Sequence, residues 1–167
     1  MAVIPIRTLP DPVLRQKAKK ISGLDPSVRR LINSMIETMH DANGVGLAAP
    51  QVGIPLRLVT ICMPEEDAEE IVLINPEVVK KSGEREIDER CLSVPGYSGK
   101  VKRACNVTVK GRDQNWKEVR IKADELLAQA LEHEIDHLNG VLYVDLVESP
   151  DKLTKLEPPP SLQEEKK

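Results

Sequence analysis

An α+β fold is predicted by three features of the sequence: two strongly periodic helical segments near its ends, a block of short β-type runs between them, and grouping rather than alternation of the two element types. At 167 residues and 40% apolar content, the chain has material for one packed core. Phe is absent, and only one Trp and two Tyr are present, so Val, Ile, Leu, Ala and Met must fill that core. A single catalytic domain is expected over residues 1–150. Residues 151–167, which end in the proline-broken, charged stretch EPPPSLQEEKK, are expected to form a disordered tail.

From the N-terminus, Asp11 before Pro12 and Asp25 before Pro26 each set an acceptor side chain at an N-cap with proline at the first helical position, which predicts two helices. The second is defined by its stripe. Val28, Leu31, Ile32, Met35, Ile36 and Met39 recur at three- and four-residue steps until the Asn43-Gly44 stop. Next come LRLVTICM, IVLINPEVV, REIDERCLSVPGY, RACNVTVKGRD and EVRIKA, runs of β-formers separated by Gly, Pro, Asn and Asp. The last two flank RDQNWK as a hairpin. A second long helix begins near Asp124 and runs through His137 to an Asn139-Gly140 stop.

Charge narrows the function classes. A formal charge of -3 and a pI near 5.7 argue against affinity won by neutralising phosphates, so nucleic acid is not an expected direct partner. The N-terminus MAVIPIRTLPDPVLRQ has neither secretory nor transit-peptide character, and no apolar run reaches membrane-spanning length. A cytoplasmic protein without membrane attachment is expected. Cys62, Cys91 and Cys105 are odd in number and far apart, which suits reduced thiols and leaves at least one available as a ligand.

The stretch LEHEIDHLNG carries the chemistry. Residues four apart share a helical face, so His133 and His137 present imidazoles to one point, with Glu134 beside them. Leu126 and Ala130 lie on that same face, which turns the histidines inward. A catalytic zinc-type site needs a third protein ligand. The pattern with a further histidine six residues on fails, because Tyr143 stands there. Glu148, Glu157 and His40 remain as sources, but the cysteines suit better. Cys62 and Cys105 sit in apolar or mixed strands and read as buried hydrophobes, whereas Cys91 lies among charges, a hydroxyl and the Pro95-Gly96 turn.

Three motifs, GVGLAAPQ at 44–51, ERCLSVP at 89–95 and HEIDH at 133–137, together with the opening PIRTLPDPVLRQKAKKI, resemble the peptide deformylase family over roughly residues 5–147. The resemblance implies an α+β fold with the histidine-bearing helix packed among antiparallel sheets. It implies removal of the formyl group from the N-terminal formyl-methionine of nascent polypeptides, with release of formate. Cys91, His133 and His137 are implied metal ligands, and Glu134 the general acid and base. The Gln51 side-chain amide and the Leu92 backbone N-H are implied donors to the oxyanion, and Gly46 is implied to let the substrate backbone approach. Val45, Ile87, Leu126 and Ala130 are candidates for the methionine slot. One divalent ion is expected, Fe2+ first with Zn2+ or Ni2+ also suited, since a thiolate ligand disfavours Mg2+ and Ca2+.

Two positions depart from the family's usual motifs: Arg90 replaces a glycine, and Glu132 replaces a glutamine. Arg90 could narrow the groove, add a cation beside the peptide or point outward. Glu132 could raise the basicity of the ligands or pair with a cation. Glu89 and Arg103 are expected as an ion pair behind the cysteine loop. Some bacterial members finish in a basic helix that docks on the ribosome, which three consecutive prolines preclude here, so any ribosome contact is expected elsewhere. The competing readings are a zinc peptidase built on HEIDH alone, and an inactive relative that binds formylated or methionine-starting N-termini.

Overall fold

The β-type runs pair into two antiparallel sheets in the computed structural model, which describes residues 2–156. In chain order the elements are α1 (Pro26–Asp41), β1 (Gly46–Ala48), β2 (Leu58–Ile61), β3 (Ile71–Ser82), β4 (Arg85–Cys91), β5 (Val94–Arg103), β6 (Asn106–Arg112), β7 (Glu118–Asp124), α2 (Glu125–Leu138) and β8 (Leu153–Lys155). One sheet has the strand order β1-β2-β3-β6-β7 and the other β4-β5-β8. The arrangement is the α+β class expected.

Period-two alternation explains how the larger sheet is covered on both faces. Leu58 points to one side with Leu47, Val72 and Ile74, where α1 lays down Val28, Leu31, Ile32, Met35 and Met39. Val59 and Ile61 point to the other with Leu73, Val107 and Val109, where α2 contributes Ala128, Leu131, Ile135 and Leu138. Each buried Val, Leu, Ile or Met among them contributes roughly 1.5–3 kcal/mol. The α1 stripe is as predicted, Asp25 caps it by accepting from the Val28 N-H at 2.9 Å, and Asn43 ends it in the left-handed region at φ 54°. The smaller sheet packs on Leu14, Leu142 and Tyr143 through Cys91, Val94 and Val101. As a result β1 and β4 are both edge strands, and each has one unpaired side.

Three expectations need correction. The first predicted helix is only a single 3-10 turn, Pro12–Arg15, because the cap signal at Asp11 is followed by no apolar stripe and Leu14 alone is buried. The run REIDERCLSVPGY is not one strand; a two-residue turn after Cys91 folds it into the β4–β5 hairpin, and β5 continues to Arg103. The boundary at residue 150 is too early. Pro150–Lys152 form a 3-10 turn, and Leu153–Lys155 pair with Tyr97–Gly99 as β8, so backbone pairing rather than apolar pattern orders this segment. The rest of the expected tail, 157–167, lies outside the described residues. Among the described residues no helix is long and apolar enough to cross a membrane.

Candidate functional site

α2 is held by its apolar residues against the larger sheet, and this fixes the direction in which its polar residues point. His133, Glu134 and His137 are buried with them, at 8%, 4% and 1% exposure. β4 approaches from the smaller sheet and ends at Cys91, where a register shift between Glu89 and Cys91 closes the hairpin through the Cys91–Val94 pair. Cys91 Sγ lies 3.3 Å from His137 Nε2, which lies 3.2 Å from His133 Nε2. All three ligand atoms fall within 4.8 Å of one another, so the two sheets and α2 meet at this point.

The donor set fits a metal ion. A tetrahedral ion would separate two imidazole nitrogens by about 3.3 Å and a nitrogen from a thiolate by about 3.6 Å, close to what these atoms already adopt. His133 Nδ1 faces Glu89 Oε1 at 2.7 Å, so the proton belongs on Nδ1 and the Nε2 lone pair points to the centre. Burial works to lower the His133 pKa, but Glu134 and hydrogen bonds to Cys91 and Glu89 outweigh it and hold the ring well above the usual histidine range. Burial, then charge on His133 and Arg103, pushes His137 well below it.

Behind the histidines sits the ion pair expected from the sequence, wholly buried. Arg103 donates from Nε to Glu89 Oε2 at 2.6 Å and from Nη2 to Oε1 at 2.8 Å, and its Nη1 reaches Asp136 Oδ2 at 2.6 Å. Burial opposes ionisation of Glu89, yet hydrogen bonds from Arg103 and His133 bring its pKa down to about 2. Glu134 is the reverse case. Burial, reinforced by Glu89 and Asp136, raises it to about 7 against the opposing charges of His133 and Arg103. Its Oε1 has no partner among the described residues.

On the facing wall, β1 runs into a 3-10 turn at Ala49–Val52 that carries Gln51. The Ala48 N-H donates to Gln51 Oε1 at 2.9 Å, which fixes the amide and sends Nε2 to Ser93 Oγ at 3.1 Å and toward Cys91 Sγ at 3.6 Å. Gly46 serves Glu134 directly: a Cβ there would lie 2.5 Å from Glu134 Oε2. That contact gives the glycine a role in the protein itself, beside the substrate approach expected of it.

A groove of about 480 Å³ opens over these groups. Val45, Gly46, Gln51, Cys91, Leu92, Leu126, Ala130, His133 and Glu134 all line it, as expected. Ile87 does not; it packs with Leu14, Val101 and Tyr143 on the inner side of the smaller sheet. Tyr97, Gln129 and Leu156 line the groove and carried no signal in the sequence. Arg90 is exposed at the rim. Glu132 turns away, accepting from the Ala104 N-H at 2.8 Å with Lys81 at 4.0 Å, so it serves the β5–β6 junction rather than the histidines. The other ligand candidates are elsewhere: Glu148 pairs with Lys102 and Lys152, and His40 pairs with Glu70. Glu157 is outside the described residues. Tyr143 packs beside His133 with ring centroids 6.3 Å apart.

Comparison with known proteins gives a consistent picture. The family model described as polypeptide deformylase matches residues 3–153. A peptide deformylase of Dehalococcoides mccartyi strain CBDB1 is 53% identical over 165 residues, 99% of this chain and 98% of the relative. One of Halothermothrix orenii is 51% identical over 147 residues, 88% and 95% of the two chains. The crystal structure of a peptide deformylase from Legionella pneumophila superposes with a TM-score of 0.86 at 50% identity, covering 90% of this chain and 88% of that one. A Synechococcus elongatus deformylase in complex with actinonin gives 0.85 at 43%, covering 89% and 81%.

Proposed function

The chain belongs to the polypeptide deformylase family, and from that premise we propose that Cys91, His133 and His137 hold its metal while Glu134 moves the proton. Members of the family are metal-dependent hydrolases that take the formyl group from the N-terminal methionine of nascent polypeptides, and this chain is one of them. The observation that carries the residue assignment is the convergence of three ligand atoms within 4.8 Å beside a buried carboxylate oxygen that has no partner among the described residues.

Held by Cys91, His133 and His137, a divalent ion would supply a Lewis acid and lower the pKa of bound water. Glu134 Oε1 accepts the proton of the attacking water and delivers it to the leaving amine nitrogen as the formyl C–N bond breaks and formate departs. A carboxyl raised to about 7 suits both transfers. The Gln51 amide is fixed by the Ala48 N-H at its Oε1 and by Ser93 Oγ at its Nε2, and Nε2 and the Leu92 N-H donate to the formyl oxygen as it gains charge. The free edges of β1 and β4 flank the groove, so an extended peptide lies between them. Val45, Leu126 and Ala130 receive the methionine side chain. Leu126 is 39% exposed at the groove, an apolar surface that substrate would cover.

A thiolate with two imidazoles favours Fe2+, with Zn2+ or Ni2+ also suited. Three free cysteines fit a cytoplasmic location. The test is formate release from a formyl-methionyl tripeptide by protein purified without oxygen, with metal quantified in the same sample. Release that disappears with a chelator and returns with Fe2+ or Ni2+ is expected. No release from protein carrying about one metal per chain would overturn the assignment.

A further inference from the structure

β4 is an edge strand whose unpaired side forms one wall of the groove, and its last three residues do different things. Glu89 and Cys91 turn into the site, while Arg90 between them is exposed and lines the same groove as Tyr97, Leu126 and Gln129. The strand is pinned on both sides of it. Gln129 Nε2 donates to the Asp88 carbonyl at 3.2 Å, and Cys91 Sγ lies 3.3 Å from His137.

Charge completes the picture. Of the other acidic groups of the groove, Glu89 is committed to Arg103 and His133, and Glu134 is buried against Gly46 at the back of the site, away from the exposed rim. Among the described residues Arg90 has no carboxylate within 4.0 Å. Asp88, two residues back on the same face of the strand, stands opposite Lys100 in the β4–β5 register. The groove therefore presents one exposed guanidinium with no carboxylate partner among the described residues.

We propose that Arg90 is a specificity-determining residue that reads a carboxylate on the substrate peptide just beyond its methionine. This rests on the deformylase reading, which puts the formyl carbon by Cys91 and the methionine side chain against Leu126 and Ala130. An extended peptide advances about 3.3 Å per residue and neighbouring Cα atoms are about 3.8 Å apart, so the next one or two residues pass within reach of a long side chain adjacent to Cys91. An acidic side chain there, or the terminal carboxylate of a short peptide, supplies the missing partner. An exposed pair of this kind changes affinity by about two- to fivefold and is screened by salt.

The experiment compares formyl-methionyl tetrapeptides carrying Glu, Gln or Lys after the methionine, each with an amidated C-terminus, and the Gln peptide with a free carboxylate. kcat/KM is measured at low and high salt for the wild type, Arg90→Gln and Arg90→Glu, and Kd for the same peptides with Glu134→Gln, alone and combined with each Arg90 substitution. The expected order is Glu over Gln over Lys, carried by KM, flattened by salt, collapsed in Arg90→Gln and reversed in Arg90→Glu. A gain for the free over the amidated Gln peptide that disappears in Arg90→Gln assigns part of the effect to the terminal carboxylate. Equal kcat/KM across the series, or an acidic preference that persists in Arg90→Gln, overturns the inference. Absence of formate release from every peptide would strike the deformylase reading instead, and the order of Kd values would then decide the role of Arg90.

Discussion

Glu89 and Glu134 are two buried carboxylates on either side of His133, and they differ in what surrounds them. Glu89 is met by two nitrogens of Arg103 and by His133, and its pKa falls to about 2. Glu134 keeps an oxygen without a partner among the described residues, and burial lifts it to about 7. The same residue type a few ångströms apart becomes a fixed charge in one place and a proton carrier in the other, and the number of donors decides which. The sharpest way to break the comparison is to give Glu134 the behaviour of a group that cannot titrate. Glu134→Gln should retain the metal and lower kcat by about 10²- to 10⁴-fold, because the amide fills the same space and accepts no proton. Metal-replete protein with wild-type turnover would remove Glu134 from the reaction.

The complementary change attacks the saturated carboxylate. Arg103→Met keeps much of the side-chain volume but leaves Glu89 buried without its bidentate partner and frees Asp136 as well. Leaving half of a buried pair uncompensated costs about 3–5 kcal/mol, so a chemical denaturation midpoint should drop clearly. Because Glu89 also orients His133, metal affinity should fall about 10- to 100-fold in a competition with a chelator. Adding Glu89→Gln should recover part of the stability but not the metal affinity. Recovery of both together would mean that the pair serves folding alone.

How legible these two carboxylates were follows from where their partners lie in the chain. Glu134 is local: its helix and its histidines are written in the spacing of Ala130, His133 and His137, but the direction of that face is set by Ala128, Leu131, Ile135 and Leu138 packing on the larger sheet, while Leu126 stays 39% exposed at the groove. Cys91 could be favoured from its polar setting, but only the β4–β5 hairpin turns that preference into a position beside His137. Glu89 and Arg103 could be paired on paper, yet their burial depends on Asp136 arriving from α2, a tertiary fact. Ile87 was misplaced for the same reason, since alternation along β4 does not say whether a face looks into the groove or onto Leu14 and Tyr143. At the ends of the chain, Asp11-Pro12 promised a helix that lacked apolar residues to bury. Leu153–Lys155 gained order from the backbone of β5 with no pattern of its own. Motifs and periodic faces were readable, whereas contacts created by the meeting of two sheets were not.

The smallest expected effect lies at the surface, where saturation of a carboxylate counts for less. Asp145 accepts from Arg15 and from the Leu142 N-H, the latter at 2.9 Å. Burial tends to raise its pKa, but these hydrogen bonds prevail and leave it below the ordinary aspartate value. A depressed folded-state pKa contributes stability that is fully present above the unfolded value near 3.9 and is lost as pH falls through the folded one. Asp145→Asn should therefore cost about 0.2–1 kcal/mol at neutral pH, with the gap to wild type closing below about pH 4. Urea melts at neutral and acid pH measure this directly. A gap that stays constant with pH would assign the loss to the Leu142 turn rather than to charge, and would confine the contrast between saturated and open carboxylates to the buried site.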